Sequence, residues 1–151
     1  MTKRELRESI QTYLSTITGL PDVVCLLERD GTDQSEAEAE ALRTKGMLLV
    51  VQNALGALGA QSQEGQLLKL DLAIPIALIE NPVVNLNTGG TTVPGEDAID
   101  IVAKKIMGRR VRGGSLVVLG DSFGRIDEGD GVIVHFFVVA APWLMQSDWE
   151  G

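Results

Sequence analysis

The stretch Lys69-Leu-Asp-Leu-Ala-Ile-Pro-Ile-Ala-Leu-Ile-Glu-Asn-Pro-Val-Val-Asn85 constrains the fold more than any other part of the chain. In an extended backbone Leu68, Leu70, Leu72, Ile74, Ile76 and Leu78 fall on one side, and Lys69, Asp71, Ala73, Pro75, Ala77 and Ile79 on the other. The first side reads as a core face. The second changes from charged to nearly apolar, so the strand passes from solvent into cover or into a subunit contact. Pro75 has no N–H for a ladder hydrogen bond, which predicts an edge, a bulge or a register change at that point. Glu80-Asn81-Pro82 then turns the chain.

The elements around this strand follow from periodicity and punctuation. Thr2 with Glu5 forms a capping-box pattern, and Leu6, Ile10, Tyr13, Leu14 and Ile17 share one helical face, predicting a helix over Thr2 to Thr18 that Gly19 and Pro21 stop. Val23 to Glu28 and Met47 to Val51 read as strands. Between them, Gln34 to Thr44 is rich in acidic residues and alanine and reads as a short exposed helix or a mobile loop. Flexible excursions are expected near 31–46, 54–66 and 85–95, because small and polar residues bury little area per ordered residue.

Gly95-Glu96-Asp97 opens a second amphipathic helix with Ile99, Val102, Ala103, Ile106 and Met107 on one stripe. Lys104 and Lys105 sit near its C-terminal end, and Gly108 stops it. Ser115 to Leu119 reads as a short strand and 120–131 as a turn-rich connection. Val132 to Ala140 is apolar on both sides, which predicts a central strand or one covered on both faces. Trp143 and Trp149 are candidates for anchoring the C-terminal segment on this domain or on a neighbour.

Together these elements predict one α+β domain over 1–151: a mostly antiparallel or mixed sheet of about five strands, with two amphipathic helices packed on one face. A chain of 151 residues with 44% hydrophobic and 23% charged residues supports an ordinary core, burying roughly 70% of the surface the unfolded chain exposes. Two helices do not cover all the apolar strand surface, so association between copies is expected to supply the rest.

Few chemistries fit. The net charge of −8 disfavours a protein held on nucleic acid by phosphate neutralisation. It allows one that surrounds DNA without gripping it. The single Cys25 excludes an intramolecular disulfide and reads as a small buried hydrophobe. His135, the sole histidine, lies within the last strand pattern and reads as a packed, hydrogen-bonded residue.

The glycines of 54–66 match no phosphate-binding pattern, and Asp121 to Asp130 lacks the helices of an EF-hand. No catalytic set, metal site or cofactor site emerges, and no apolar run is long enough for a membrane span. The basic patch Arg109, Arg110 and Arg112 reads as a solvated helix exit or a surface that pairs with an acidic neighbour.

The order of motifs carries a resemblance. Leu70-Asp71-Leu72-Ala73-Ile74-Pro75-Ile76 leads to Ile79-Glu80-Asn81-Pro82-Val83-Val84-Asn85. Ala98 to Val102 follows in a helix, and Ile126-Asp127-Glu128-Gly129-Asp130-Gly131-Val132 precedes the last strand. Over most of its length the chain resembles small tail-terminator or minor tail (neck) proteins of tailed bacteriophages and prophages.

The resemblance implies an α+β subunit of a ring, commonly a hexamer, that closes the tail tube and offers the surface for head joining. Its partners would be further copies of itself, the tail tube and head-connector proteins, with DNA passing through the opening without sequence-specific binding. Such a protein would be found in the bacterial host cytoplasm during assembly and in the tail or neck of a particle. The candidate subunit or partner contacts are Pro75, Ile79, Asn81, Arg109, Arg110, Arg112 and Trp143. The alternatives are a small hydrolase using His135 with a carboxylate, and a protein-binding module with no phage association.

Overall fold

The structure is a computed structural model that describes residues 2–15, 20, 23–28, 32–86 and 93–147. Its helices are α1 (Lys3–Leu14), α2 (Thr32–Thr44), α3 (Pro82–Leu86) and α4 (Gly95–Ile106). Its strands are β1 (Val24–Leu27), β2 (Met47–Val51), β3 (Gly56–Glu64), β4 (Leu67–Glu80), β5 (Arg110–Val111), β6 (Gly114–Ser115), β7 (Val117–Val118), β8 (Gly124–Asp127) and β9 (Ile133–Gln146). The class is α+β. A seven-stranded mixed sheet runs β1-β2-β4-β9-β7, with β3 also on β4 and β8 also on β9, and β5–β6 forms a separate two-stranded ribbon.

The long alternating stretch is the centre of the sheet. β4 pairs antiparallel with β9 from Leu67↔Gln146 to Glu80↔Ile133. On its other edge β2 pairs with the C-terminal half and β3 with the N-terminal half. Pro75 therefore does not lie on a free edge; it is buried where β2 gives way to β3. Its carbonyl accepts from the Gln52 N–H at 3.0 Å, and the Leu55 N–H reaches the Ala73 carbonyl at 2.8 Å. Because the N–H and C=O of one residue point to the same side of an antiparallel strand, the missing proline N–H falls at this handover, where no regular ladder needs it.

The face of β4 carrying Leu72, Ile74, Ile76 and Leu78 forms the main core with Phe137, Val139 and Ala141 of β9. Helices α1 and α4 lie on this inner face, burying Leu6, Ile10 and Leu14 from one and Ala98, Val102 and Ile106 from the other. Thr2 caps α1 as the sequence predicts, its hydroxyl accepting from the Glu5 N–H at 3.0 Å. α1 ends at Leu14 with Ser15 as its cap. The predicted extension through Ile17 to Thr18, and its stops at Gly19 and Pro21, lie outside the described residues, as does Trp149.

Of the expected excursions, 54–66 holds a strand in place of a flexible connection, and 31–46 holds the helix that was one of the two readings of Gln34 to Thr44. Residues 56–64, within the expected 54–66 connection, form β3. Their small side chains give no apolar alternation, yet the exposed edge of β4 supplies a backbone template. Within 31–46, α2 is the crossover joining the parallel strands β1 and β2. That crossover places α2 on the face opposite α1 and α4, where Ala41 packs with Leu48 and Val50, flanked by Leu26, Leu42 and Ile79. Of the third excursion, Asn85 and Leu86 end α3, Gly95 begins α4, and 87–92 lie outside the described residues.

Candidate functional site

Two features of the sheet go beyond ordinary packing: a buried polar cluster at one end of β4, and an apolar outer surface left half-exposed along β9.

The polar cluster explains the turn motif after β4. Helix α4 begins after Pro94, which provides no side-chain cap, so its first N–H groups need an acceptor from elsewhere. Glu80, 4% exposed, supplies it from the last position of β4, its Oε2 accepting from the Gly95 N–H at 2.8 Å. A carboxylate there also faces the positive end of the helix dipole. The same oxygen accepts from Asn85 Nδ2 at 2.9 Å, and that amide donates to the Val93 carbonyl at 2.7 Å. Glu80 Oε1 lies 3.3 Å from His135 Nε2.

Close approach is built into the backbone here. A Cβ on Gly95 would lie 2.6 Å from His135 Nε2 and nearer still to Glu80 Oε1. Gly46 has φ +73°, and a Cβ there would lie 2.7 Å from the Asn85 Cα. Asn81 closes the motif: its N–H donates to the Gly46 carbonyl at 2.8 Å and its own carbonyl accepts from the Asn85 N–H at 2.9 Å.

His135 and Glu80 are thus the histidine–carboxylate pair that a hydrolase would need, but both are enclosed, at 5% and 4% exposure. None of the three surface cavities described below is lined by either residue. Cys25 is also inert in place: burial pushes its thiol up to about 12, which suppresses the thiolate at neutral pH. Among the described residues no group of three or more histidine, cysteine or acidic side chains converges as a metal site, and no helix is long and apolar enough to cross a membrane.

The outer surface is different. β9 alternates between buried His135, Phe137, Val139 and Ala141 on the inner side and half-buried Val134, Phe136, Val138, Ala140, Pro142 and Leu144 on the outer side. Of the two readings, a central strand or one covered on both faces, the first holds: β9 lies between β4 and the β7 and β8 strands, while among the described residues the α2 cluster on the outer face joins Leu26, Leu48, Val50 and Ile79 of β1, β2 and β4. Val117 of β7 and Ile126 of β8 border the row at 54% and 50% exposure. The edge beside it is closed by a side chain, since Ser122 Oγ accepts from the Val138 N–H at 2.8 Å and the Leu119 N–H donates to the Val138 carbonyl at 3.0 Å.

The predicted contact residues separate into two groups. Pro75 is buried, Ile79 packs beside the α2 cluster, and Asn81 holds the α3 turn. Arg109 stacks over the Tyr13 ring at 3.7 Å, and Trp143 packs against the core with Lys3 Nζ 5.2 Å from its ring. These five have work within their own chain.

Arg110 and Arg112 are exposed and form no ion pair among the described residues. Arg110 lines a cleft of about 820 Å³ against α1 with Glu5, Glu8 and Tyr13. Arg112 lines one of about 250 Å³ with Leu67, Pro142 and Leu144. A third, of about 340 Å³, lies between Lys3, Arg7 and residues 53–57.

The Glu80 cluster was not foreseen from sequence; the signal for it was a helix start at Pro94-Gly95 with no capping side chain of its own. Comparison with protein-family models finds no match, and comparison with curated proteins finds none either.

Proposed function

We propose that this protein acts by binding its own kind: it is a structural subunit that self-associates into a ring at the end of a bacteriophage or prophage tail tube. The ring closes the tube and presents the surface to which the head is joined, with no chemical turnover. The observation that carries the self-association is the outer row of β9, apolar from Val134 to Leu144 and only partly buried, beside exposed Val117 and Ile126. A soluble monomer rarely leaves such a row contiguous. The tail-tube assignment is supported by the motif order from Leu70 to Asn85 and from Ile126 to Val132.

On this reading the protein accumulates in the host cytoplasm and ends in the tail or neck of the particle, with tail-tube and head-connector proteins as partners. DNA passes through the ring without being gripped, consistent with the net charge of −8. The hydrolase alternative has less support, because Glu80 and His135 are enclosed and one Glu80 oxygen is already held by Gly95 and Asn85. A binding module unconnected with phages is separated by genomic context: genes for major tail, portal or capsid proteins alongside this one favour the tail reading.

Electron microscopy of isolated tail tubes with added protein tests the function. Density capping one end of each tube is the expected result; bare tube ends at saturating protein would refute it.

A further inference from the structure

The C-terminal end of β9 borders a cleft of about 250 Å³ beside the β5–β6 ribbon, walled by Leu67, Pro142 and Leu144 and lined also by Arg112. The ribbon is seated closely there, since a Cβ on Gly113 would lie 3.0 Å from the Pro142 Cβ. The space falls below the roughly 300–1,000 Å³ of small-molecule pockets and suits one large side chain.

The strand edge in this cleft is open. Val138 turns its N–H and C=O towards Ser122 and Leu119, away from β4, and alternate residues of a strand turn theirs the same way. Those of Leu144 therefore point away from β4 and meet no partner among the described residues. Pro142, oriented alike, has no N–H to leave unpaired. An open edge takes a further extended segment of chain. Arg112 adds a positive charge that is exposed and forms no ion pair among the described residues. The cleft thus fits a short extended segment that carries one large apolar side chain beside a carboxylate.

The chain carries such a segment at this spot. Ser147 is held at the end of the cleft, its N–H donating to the Gln66 carbonyl at 2.8 Å, next to Leu67 and Gln146 of the lining. Asp148-Trp149-Glu150 follows, a tryptophan between two carboxylates, and Trp149 is at most about 7 Å of backbone beyond Ser147. We infer that this cleft is the docking site of the chain's own C-terminal segment, Trp149 filling the space between Leu67, Pro142 and Leu144 while the carboxylates beside it face Arg112. Attachment at Ser147 makes the docking intramolecular, so a modest contact suffices. The segment covers only the 142–146 end of the outer row and leaves Val134 to Ala140 to self-association. The inference does not depend on that reading.

Acrylamide quenching of Trp149 fluorescence tests it, read in Trp143→Phe, where Trp149 is the single tryptophan. Quenching is expected to be at least about threefold weaker in the folded chain than in urea, and independent of protein concentration. Arg112→Glu should strengthen it at least about twofold, with an unchanged circular dichroism spectrum. Should Trp143→Phe fail to fold, the difference between the wild type and Trp149→Ala supplies the same reading.

A Trp149 as open to acrylamide in the folded chain as in urea would overturn the docking. So would a folded Arg112→Glu that leaves the shielding unchanged, which would put Trp149 elsewhere. Shielding that grows with protein concentration would give the cleft to the segment of another copy and overturn docking within the chain.

Discussion

The inner and outer faces of the sheet are built from alternate residues of the same strands, yet they end differently. On the inner face Leu72, Ile74, Ile76 and Leu78 meet Phe137 and Val139 under α1 and α4, and even the polar groups at the end of β4 are paired. On the outer face α2 covers Leu48 and Val50, while Val134 to Leu144 remain half-exposed. One face is completed within the chain. The other has the composition of a core but is only partly buried along β9, with Val117 and Ile126 exposed beside it, a condition in which association adds burial.

Substitutions at the finished face should be the most damaging. Gly95→Ala forces a methyl group into the Glu80–His135 contact and should cost about 3 kcal/mol or more in urea unfolding, or abolish folding. Glu80→Ala leaves the Gly95 N–H and the Asn85 amide without their buried acceptor, so a loss of about 2–4 kcal/mol is expected. Glu80→Gln retains an acceptor and should lose roughly half as much, the remainder reporting the charge at the α4 N-terminus. A Glu80→Gln variant as stable as the wild type would remove the dipole from the account.

The outer face should behave in the opposite way. Val134→Ala deletes methyl groups from a half-exposed site and should lower the stability of the single chain by no more than about 1 kcal/mol, while weakening self-association. A loss as large as that of a core leucine would show the face already closed within one chain. Arg110→Ala should shift monomer stability by less than about 0.5 kcal/mol; a larger loss would mean that Arg110, like Arg109, is engaged within its own chain.

The sequence was most readable where a single physical signal dominated. Met47–Val51 is a strand over the predicted residues, α4 follows its apolar stripe from Gly95 to Ile106, and Thr2 caps α1 through the Glu5 N–H. Elements that depend on a distant partner were harder to read. β3 has small, weakly patterned residues and becomes a strand because β4 offers an unpaired edge. α2 has few large apolar groups and takes its place as the crossover between parallel strands.

The Glu80 cluster joins residues from 46 to 135 in the sequence, and local pattern showed only its turn. Pro75 was read for the right property, its missing donor, but the break it marks is in the neighbouring strands and not in exposure.

The most direct test of an outer face completed by a further copy is the midpoint of thermal unfolding measured against protein concentration. Association of folded chains stabilises them by mass action, so the wild-type midpoint should rise with concentration and that of Val138→Glu should stay flat. A wild-type midpoint independent of concentration, equal in slope to the variant's, would contradict it.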